Sequence, residues 1–274
     1  MKTRIVLTLV VAALAGCGGG SGEPTIVAAF YPLAYAAQQI GGERVDVRNL
    51  TPPGVEPHDL ELSAKDVRTI ADAEAVLYLG DDFQPALEDA IDSASADGID
   101  LLGSVATIDD DPHVWLDPIR YAEIATRIGE ELDRAAAAER FAARLRELDR
   151  AFRRGLADCE RDEIVTSHAA FAYLADRYGL EQVAITGIAP EVEPTPRDLE
   201  RVVRKVRAVG ATTVFFETLV SPRLATTVAR EAGAVTAVLD PLEGLTEEDA
   251  AAGEDYFDVM RSNLAALRKA LSCR

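Results

Sequence analysis

Three histidines are the only imidazoles in the 274-residue chain, and each stands where a ligating side chain could be presented. His58 lies in Thr51-Pro52-Pro53-Gly54-Val55-Glu56-Pro57-His58-Asp59, where proline and glycine enforce an irregular loop rather than a core position. His113 sits in Asp111-Pro112-His113-Val114-Trp115-Leu116-Asp117-Pro118, beside the single tryptophan. His168 follows the apolar run Glu163 to Thr166, and a carboxylate, Asp240, follows the run Ala234 to Leu239 in the same way. Imidazole nitrogens with one carboxylate oxygen suit a four-coordinate zinc shell, whereas calcium and magnesium require mostly oxygen donors. Each histidine alone reads equally well as an ordinary loop residue. The coincidence of all three at comparable positions is what points to metal.

The elements that would position these residues alternate between strand and helix. β-Branched runs at Thr25 to Phe30, Val45 to Leu50 and Ala75 to Leu79 predict strands, with helices beginning near Pro32 and Ser63. After Pro118 the pattern is helical for about 40 residues with no strand predicted, and Phe141, Leu145, Leu148, Phe152 and Leu156 recur on one face. Alternation resumes with strands predicted at Glu163 to Thr166, Gln182 to Ile185, Thr213 to Phe216 and Ala234 to Leu239. The expected fold is α/β, with two lobes, residues 25–118 and 159–274, joined by a helical segment at 119–158 that contains a long linking helix. In open α/β sheets, ligand crevices form at the C-terminal strand ends, and all four candidates fall there. Two precede the long helix and two follow it, so the predicted site lies between the lobes.

Composition narrows the partners. Lys and Arg number 28 against 47 Asp and Glu, a formal charge of -19, which opposes binding to nucleic acid phosphates and favours cations. Lys2 and Arg4, the apolar run from Ile5 to Ala13 and the small residues Ala15 and Gly16 have the order of a secretory signal, taken as residues 1–16. Leu14-Ala15-Gly16-Cys17 resembles the lipobox of bacterial lipoproteins. Cleavage there would leave Cys17 lipid-bearing on a glycine-rich tether, residues 17–24. The body is therefore expected outside the cytoplasmic membrane, lipid-anchored, in the periplasm or at the cell surface. In that oxidising setting Cys159 and Cys273 are expected to pair.

The set Glu56-Pro57-His58-Asp59, Asp111 to Pro118, Thr166-Ser167-His168, Phe215-Phe216-Glu217 and Asp240-Pro241-Leu242-Glu243-Gly244-Leu245 resembles the zinc/manganese substrate-binding proteins of bacterial ABC importers, the cluster A-I family. The resemblance covers essentially the whole chain after the signal. It implies two Rossmann-like lobes bridged by a rigid helix, with metal held between them by His58, His113, His168 and a carboxylate of the second lobe. Manganese-type members tend to carry a carboxylate in place of the third histidine, so His168 implies zinc. The long His-rich loop of many zinc-type members is missing, since Ser93 to Asp110 is short, acidic and without histidine. For the fourth ligand, Asp240 matches several members and is preferred as nearest the strand end. Other members use the glutamate three residues later, here Glu243, or a water. Glu217 is a candidate to hold a ligating imidazole from behind.

The implied function is extracytoplasmic Zn2+ capture and delivery to a membrane permease and its ATPase by a monomeric binding protein that makes and breaks no bond. The alternatives are a manganese-binding importer component, a surface adhesin with structural metal, and a zinc hydrolase on the same three histidines with Glu217 or Glu243 as base. The sequence contains no His-Glu-x-x-His, no Gly-x-Ser-x-Gly elbow and no P-loop to support an enzyme.

Overall fold

A computed structural model describes residues 24–109, 111–190 and 194–274. The segment expected to be a secretory signal, Cys17 and the glycine-rich stretch lie outside the described residues. Strands β1 (Thr25–Ala28), β2 (Asp46–Asn49), β3 (Ala75–Tyr78) and β4 (Gly98–Asp100) form an all-parallel sheet in the order β2-β1-β3-β4. Helices α1 (Tyr31–Gly41), α2 (Ala64–Ala71) and α3 (Pro85–Ala94) make its crossovers. Ser63 caps α2 through a reciprocal box with Asp66.

A second parallel sheet, in the order β6-β5-β7-β8, contains β5 (Glu163–Thr166), β6 (Glu181–Ala184), β7 (Thr213–Phe216) and β8 (Val235–Val238). Its crossovers are α6 (Ala172–Tyr178), α7 (Pro196–Val209) and α8 (Arg223–Ala232). The two sheets share one topology, and each places its loops at the C-terminal strand ends where the predicted ligands sit.

Between the sheets run α4 (Pro118–Glu131) and α5 (Ala135–Gly155), the latter 21 residues long. The helical segment is thus built of two helices, of which α5 is the long one. The break falls at Leu132, Asp133 and Arg134, where Asp133 takes a left-handed φ of 52°. The chain closes with α9 (Glu247–Ala252) and α10 (Tyr256–Ala270). Although it follows the second sheet, α10 packs back on the first lobe. The Tyr35 hydroxyl donates to Asp255 Oδ2 at 2.7 Å, the Tyr256 hydroxyl donates to the Trp115 carbonyl at 2.7 Å, and Tyr256 lies against Tyr121 with ring centroids 4.8 Å apart.

One apolar core accordingly runs from the first sheet through α4, α5 and α10, with Trp115, Phe141, Phe152 and Phe257 buried in it. A smaller one, around Val165, Val214 and Val228, fills the far side of the second sheet. Cys159 and Cys273 are joined by a disulfide that closes a separation of 114 residues and ties the end of α10 to the start of β5. Among the described residues no helix is long and apolar enough to cross a membrane.

Candidate metal centre

The loops leaving β2, β4, β5 and β8 carry His58, His113, His168 and Glu243 to one place. His58 opens no regular helix but sits in a 3-10 turn, Pro57–Asp59, whose first amide is capped: Glu56 Oε1 accepts from the His58 backbone N at 3.3 Å. Although it is on a loop, its ring packs edge-on against Phe83 and its side chain is only 7% exposed, more buried than a proline-rich loop predicts. Asp111 Oδ1 accepts from the His113 backbone N at 2.9 Å and faces its ring Nδ1 at 2.6 Å. His168 is held at its carbonyl by Thr166 Oγ1 at 2.7 Å and Gln182 Nε2 at 3.0 Å. Its Nδ1 lies 2.6 Å from Glu217 Oε1, which also accepts from Ser167 Oγ.

Carboxylates on Nδ1 hold a proton on the far side of each ring, so Nε2 of His113 and of His168 is the nitrogen left to ligate a metal in the cleft once its own proton is displaced. Four ligand atoms, one from each of His58, His113, His168 and Glu243, lie within 4.8 Å of one another. Glu243 Oε1 is 3.2 Å from Nε2 of His58, 2.8 Å from that of His113 and 3.3 Å from that of His168. The His113 and His168 Nε2 atoms are 3.3 Å apart. A tetrahedral zinc shell with bonds near 2.0–2.1 Å has edges of about 3.3 Å, so most of these separations already match one. Glu243 Oε2 is buried with no hydrogen-bond partner among the described residues.

Asp240, preferred on sequence for its place at the strand end, does not join the group. Its carboxylate accepts from Thr218 Oγ1 and from the Leu242 backbone N, the latter at 2.7 Å. Leu242 then takes a left-handed φ of 57°, which swings the chain so that the residue aimed back into the cleft is Glu243. The loop is pinned across the cleft: Trp115 Nε1 donates to the Pro241 carbonyl at 2.7 Å and the Gly54 amide to that of Leu245 at 2.8 Å. Glu217 Oε1 stands against Nδ1 of His168, on the side of the ring away from Glu243. Asp111, which orients His113, was not singled out on sequence. Its position two residues ahead of a loop histidine was the available signal.

Burial works against a charge on His168, but hydrogen bonds and charge from Glu217 and Glu243 outweigh it and lift the imidazole to about 10. The Glu243 carboxyl is opposed by its burial yet held well below the ordinary carboxylate range by His113, His168 and His58. Burial, and then the nearby Glu243 charge, push Glu56 up to about 9. Asp240 is raised to about 6 by burial, against the hydrogen bonds from Thr218 and Leu242. The site thus concentrates buried anionic charge that only protons on the rings balance, and a divalent cation would replace those protons.

The family profile described as ZnuA, zinc-uptake complex component A, periplasmic, matches residues 26–270. The chain is 34% identical over 287 residues to the zinc-binding protein AdcA of Streptococcus pyogenes serotype M3, covering 90% of this chain and 56% of that relative. It therefore spans about half the length of the AdcA relatives it matches. Among solved structures, the Zn(II)-bound ZnuA-like domain of Streptococcus pneumoniae AdcA has a TM-score of 0.79 at 37% identity, covering 91% of this chain and 99% of that one. The laminin-binding protein Lmb of Streptococcus agalactiae, described as bifunctional with adhesin and metal-transporting activity, has a TM-score of 0.83 at 28% identity, covering 91% and 100%.

Proposed function

We propose, since the chain belongs to the ZnuA family of periplasmic zinc-uptake components, that it captures Zn2+ outside the cytoplasmic membrane and hands it to an ABC importer. His58, His113, His168 and Glu243 are the ligands in this reading. The observation that carries it is the convergence of three Nε2 atoms on Glu243 Oε1 at 3.2, 2.8 and 3.3 Å. Three nitrogens and one oxygen favour zinc over manganese, which prefers oxygen-rich shells and binds N-donor sites more weakly. Lobes at 25–118 and 159–274, divided by the helical segment, belong to the same reading, as do a lipid anchor at Cys17, a monomeric state and a permease and ATPase as partners.

Binding without catalysis fits the carboxylates better than hydrolysis does. A hydrolase needs an open metal position and a free base. In this reading Glu243 takes the fourth corner beside the three histidines, so no metal position is left open for a water.

Metal analysis and isothermal titration of the metal-free protein test the proposal. One zinc per chain is expected, with binding lost or severely weakened in His58→Ala, His113→Ala and His168→Ala. Binding equally strong in all three variants would refute it.

A further inference from the structure

Asn263, on α10, is a buried polar side chain outside the metal centre, 2% exposed, and it is turned to the loop that delivers Glu243. Its Oδ1 accepts from the Asp240 backbone N at 2.9 Å and its Nδ2 donates to the Asp240 carbonyl at 2.7 Å. One side-chain amide thus closes on both main-chain groups of one residue, a task that suits a carboxamide because it carries donor and acceptor side by side. About two helical turns earlier on α10, the fully buried Tyr256 donates its hydroxyl to the Trp115 carbonyl at 2.7 Å. Trp115 in turn donates Nε1 to the carbonyl of Pro241, the residue after Asp240, at 2.7 Å. These bonds close a ring. Tyr256 joins α10 to the His113 loop, Trp115 joins that loop to the Glu243 loop, and Asn263 joins the Glu243 loop back to α10. The helix is itself fastened at both ends, by Tyr35 on Asp255 and by the Cys159–Cys273 disulfide.

From this geometry, and resting on the zinc-binding reading above, we infer that Asn263 and Tyr256 are positioning residues through which α10 sets the spacing between Glu243 and His113. Neither is among the four ligands. Two loops gripped by one rigid helix keep their separation without an ion, and Glu243 Oε1 already stands 2.8 Å from His113 Nε2. Zinc then meets a corner that is in place and does not have to order the loop first, which is how preorganisation raises affinity.

The test is a double-mutant cycle on the full chain. Zinc Kd is read by competition with a chromophoric chelator, and folding by the melting temperature of the metal-free protein. Asn263→Leu keeps a side chain of similar size and removes both hydrogen bonds; it is expected to weaken zinc binding about 10- to 100-fold, the range for groups that orient ligands. In a Glu243→Ala background, where the three histidines still hold the ion, the same substitution should change Kd by less than about twofold, because its effect passes through that carboxylate. Tyr256→Phe deletes only the hydroxyl and should weaken zinc in the same Glu243-dependent way, so it carries the test if Asn263→Leu does not fold. A lowered melting temperature with Kd unchanged in both variants would overturn the inference, since a purely structural role does this. So would losses of equal size with and without Glu243. Wild-type protein that binds no zinc would instead sink the underlying function.

Discussion

An aspartate at a strand end and a glutamate three residues later compete for one corner of a metal shell, and the intervening backbone decides between them. Asp240 spends its oxygens on Thr218 and the Leu242 amide, which sets the left-handed turn that delivers Glu243. Glu243→Ala should therefore weaken zinc binding by more than about a hundredfold, beyond the 10- to 100-fold typical of groups that only support ligands. Asp240→Ala should act mainly on stability, by about 1–3 kcal/mol, as the amide and hydroxyl it satisfied are left unpaired. Titration calorimetry and denaturant unfolding on the two variants separate these effects, and the reverse ranking would restore Asp240 as ligand. Proximity to a strand end is legible in sequence. A turn at a leucine with positive φ is not, because nothing in the type of Leu242 announces it.

The same residues impose opposite pH dependences on affinity and on the metal-free fold. Zinc must displace the protons that His168 holds, so affinity should fall as pH drops from about 7.5 to 5.5, by about tenfold per unit for each proton released. His168 is raised to about 10, so its contribution to metal-free stability is complete below about 6.5 and is lost as pH climbs toward 10. Glu56, raised to about 9, favours the neutral carboxyl and acts in the same sense from its unfolded value upward. The melting temperature of the metal-free protein should thus decline between pH 6 and 9 while zinc affinity rises. A flat affinity profile would contradict imidazole ligation.

Strand positions were largely readable, because β-branched runs bounded by turn residues specify them: Glu163–Thr166 and Thr213–Phe216 agree with the expected spans. The short β4, Gly98–Asp100, offers too few residues for a pattern. The division of the helical segment was hidden because no proline or glycine stands at Leu132 to Arg134, and the break is stabilised instead by close packing. A Cβ on Gly129 would meet that of Ala138 at 2.3 Å, so only glycine lets the two helices approach there. The disulfide belongs to this level too, since it fastens α10 to the start of β5. Cys159→Ser/Cys273→Ser should lower unfolding free energy by about 2–4 kcal/mol, as expected for a long closed loop. An unchanged denaturant midpoint would mean that the bridge adds nothing to the packing of α10.

Across the molecule, the metal centre draws on both sheets, yet the ties at its rim are unequal. Glu243 belongs to the second lobe by sequence but is pinned to the first through Trp115 to Pro241 and Gly54 to Leu245, while His168 rests on Glu217, Thr166 and Gln182 of its own lobe. The periodic placement of histidines past strand ends made the cleft legible. The return of α10 across the molecule was not, because an amphipathic helix does not reveal which sheet it will cover. Because the ligands come from both sides, zinc should brace the fold as a whole. At about 100 times its Kd it should add roughly 2.7 kcal/mol and raise the melting temperature. No shift at that concentration would argue that the ion does not bind the folded state.

X-ray absorption at the zinc edge of the loaded protein tests the coordination itself. The account predicts three imidazole nitrogens at about 2.0–2.1 Å and one carboxylate oxygen at about 2.0–2.2 Å, with the oxygen lost in Glu243→Ala. A shell of oxygens alone, or one that Glu243→Ala leaves untouched, would contradict it.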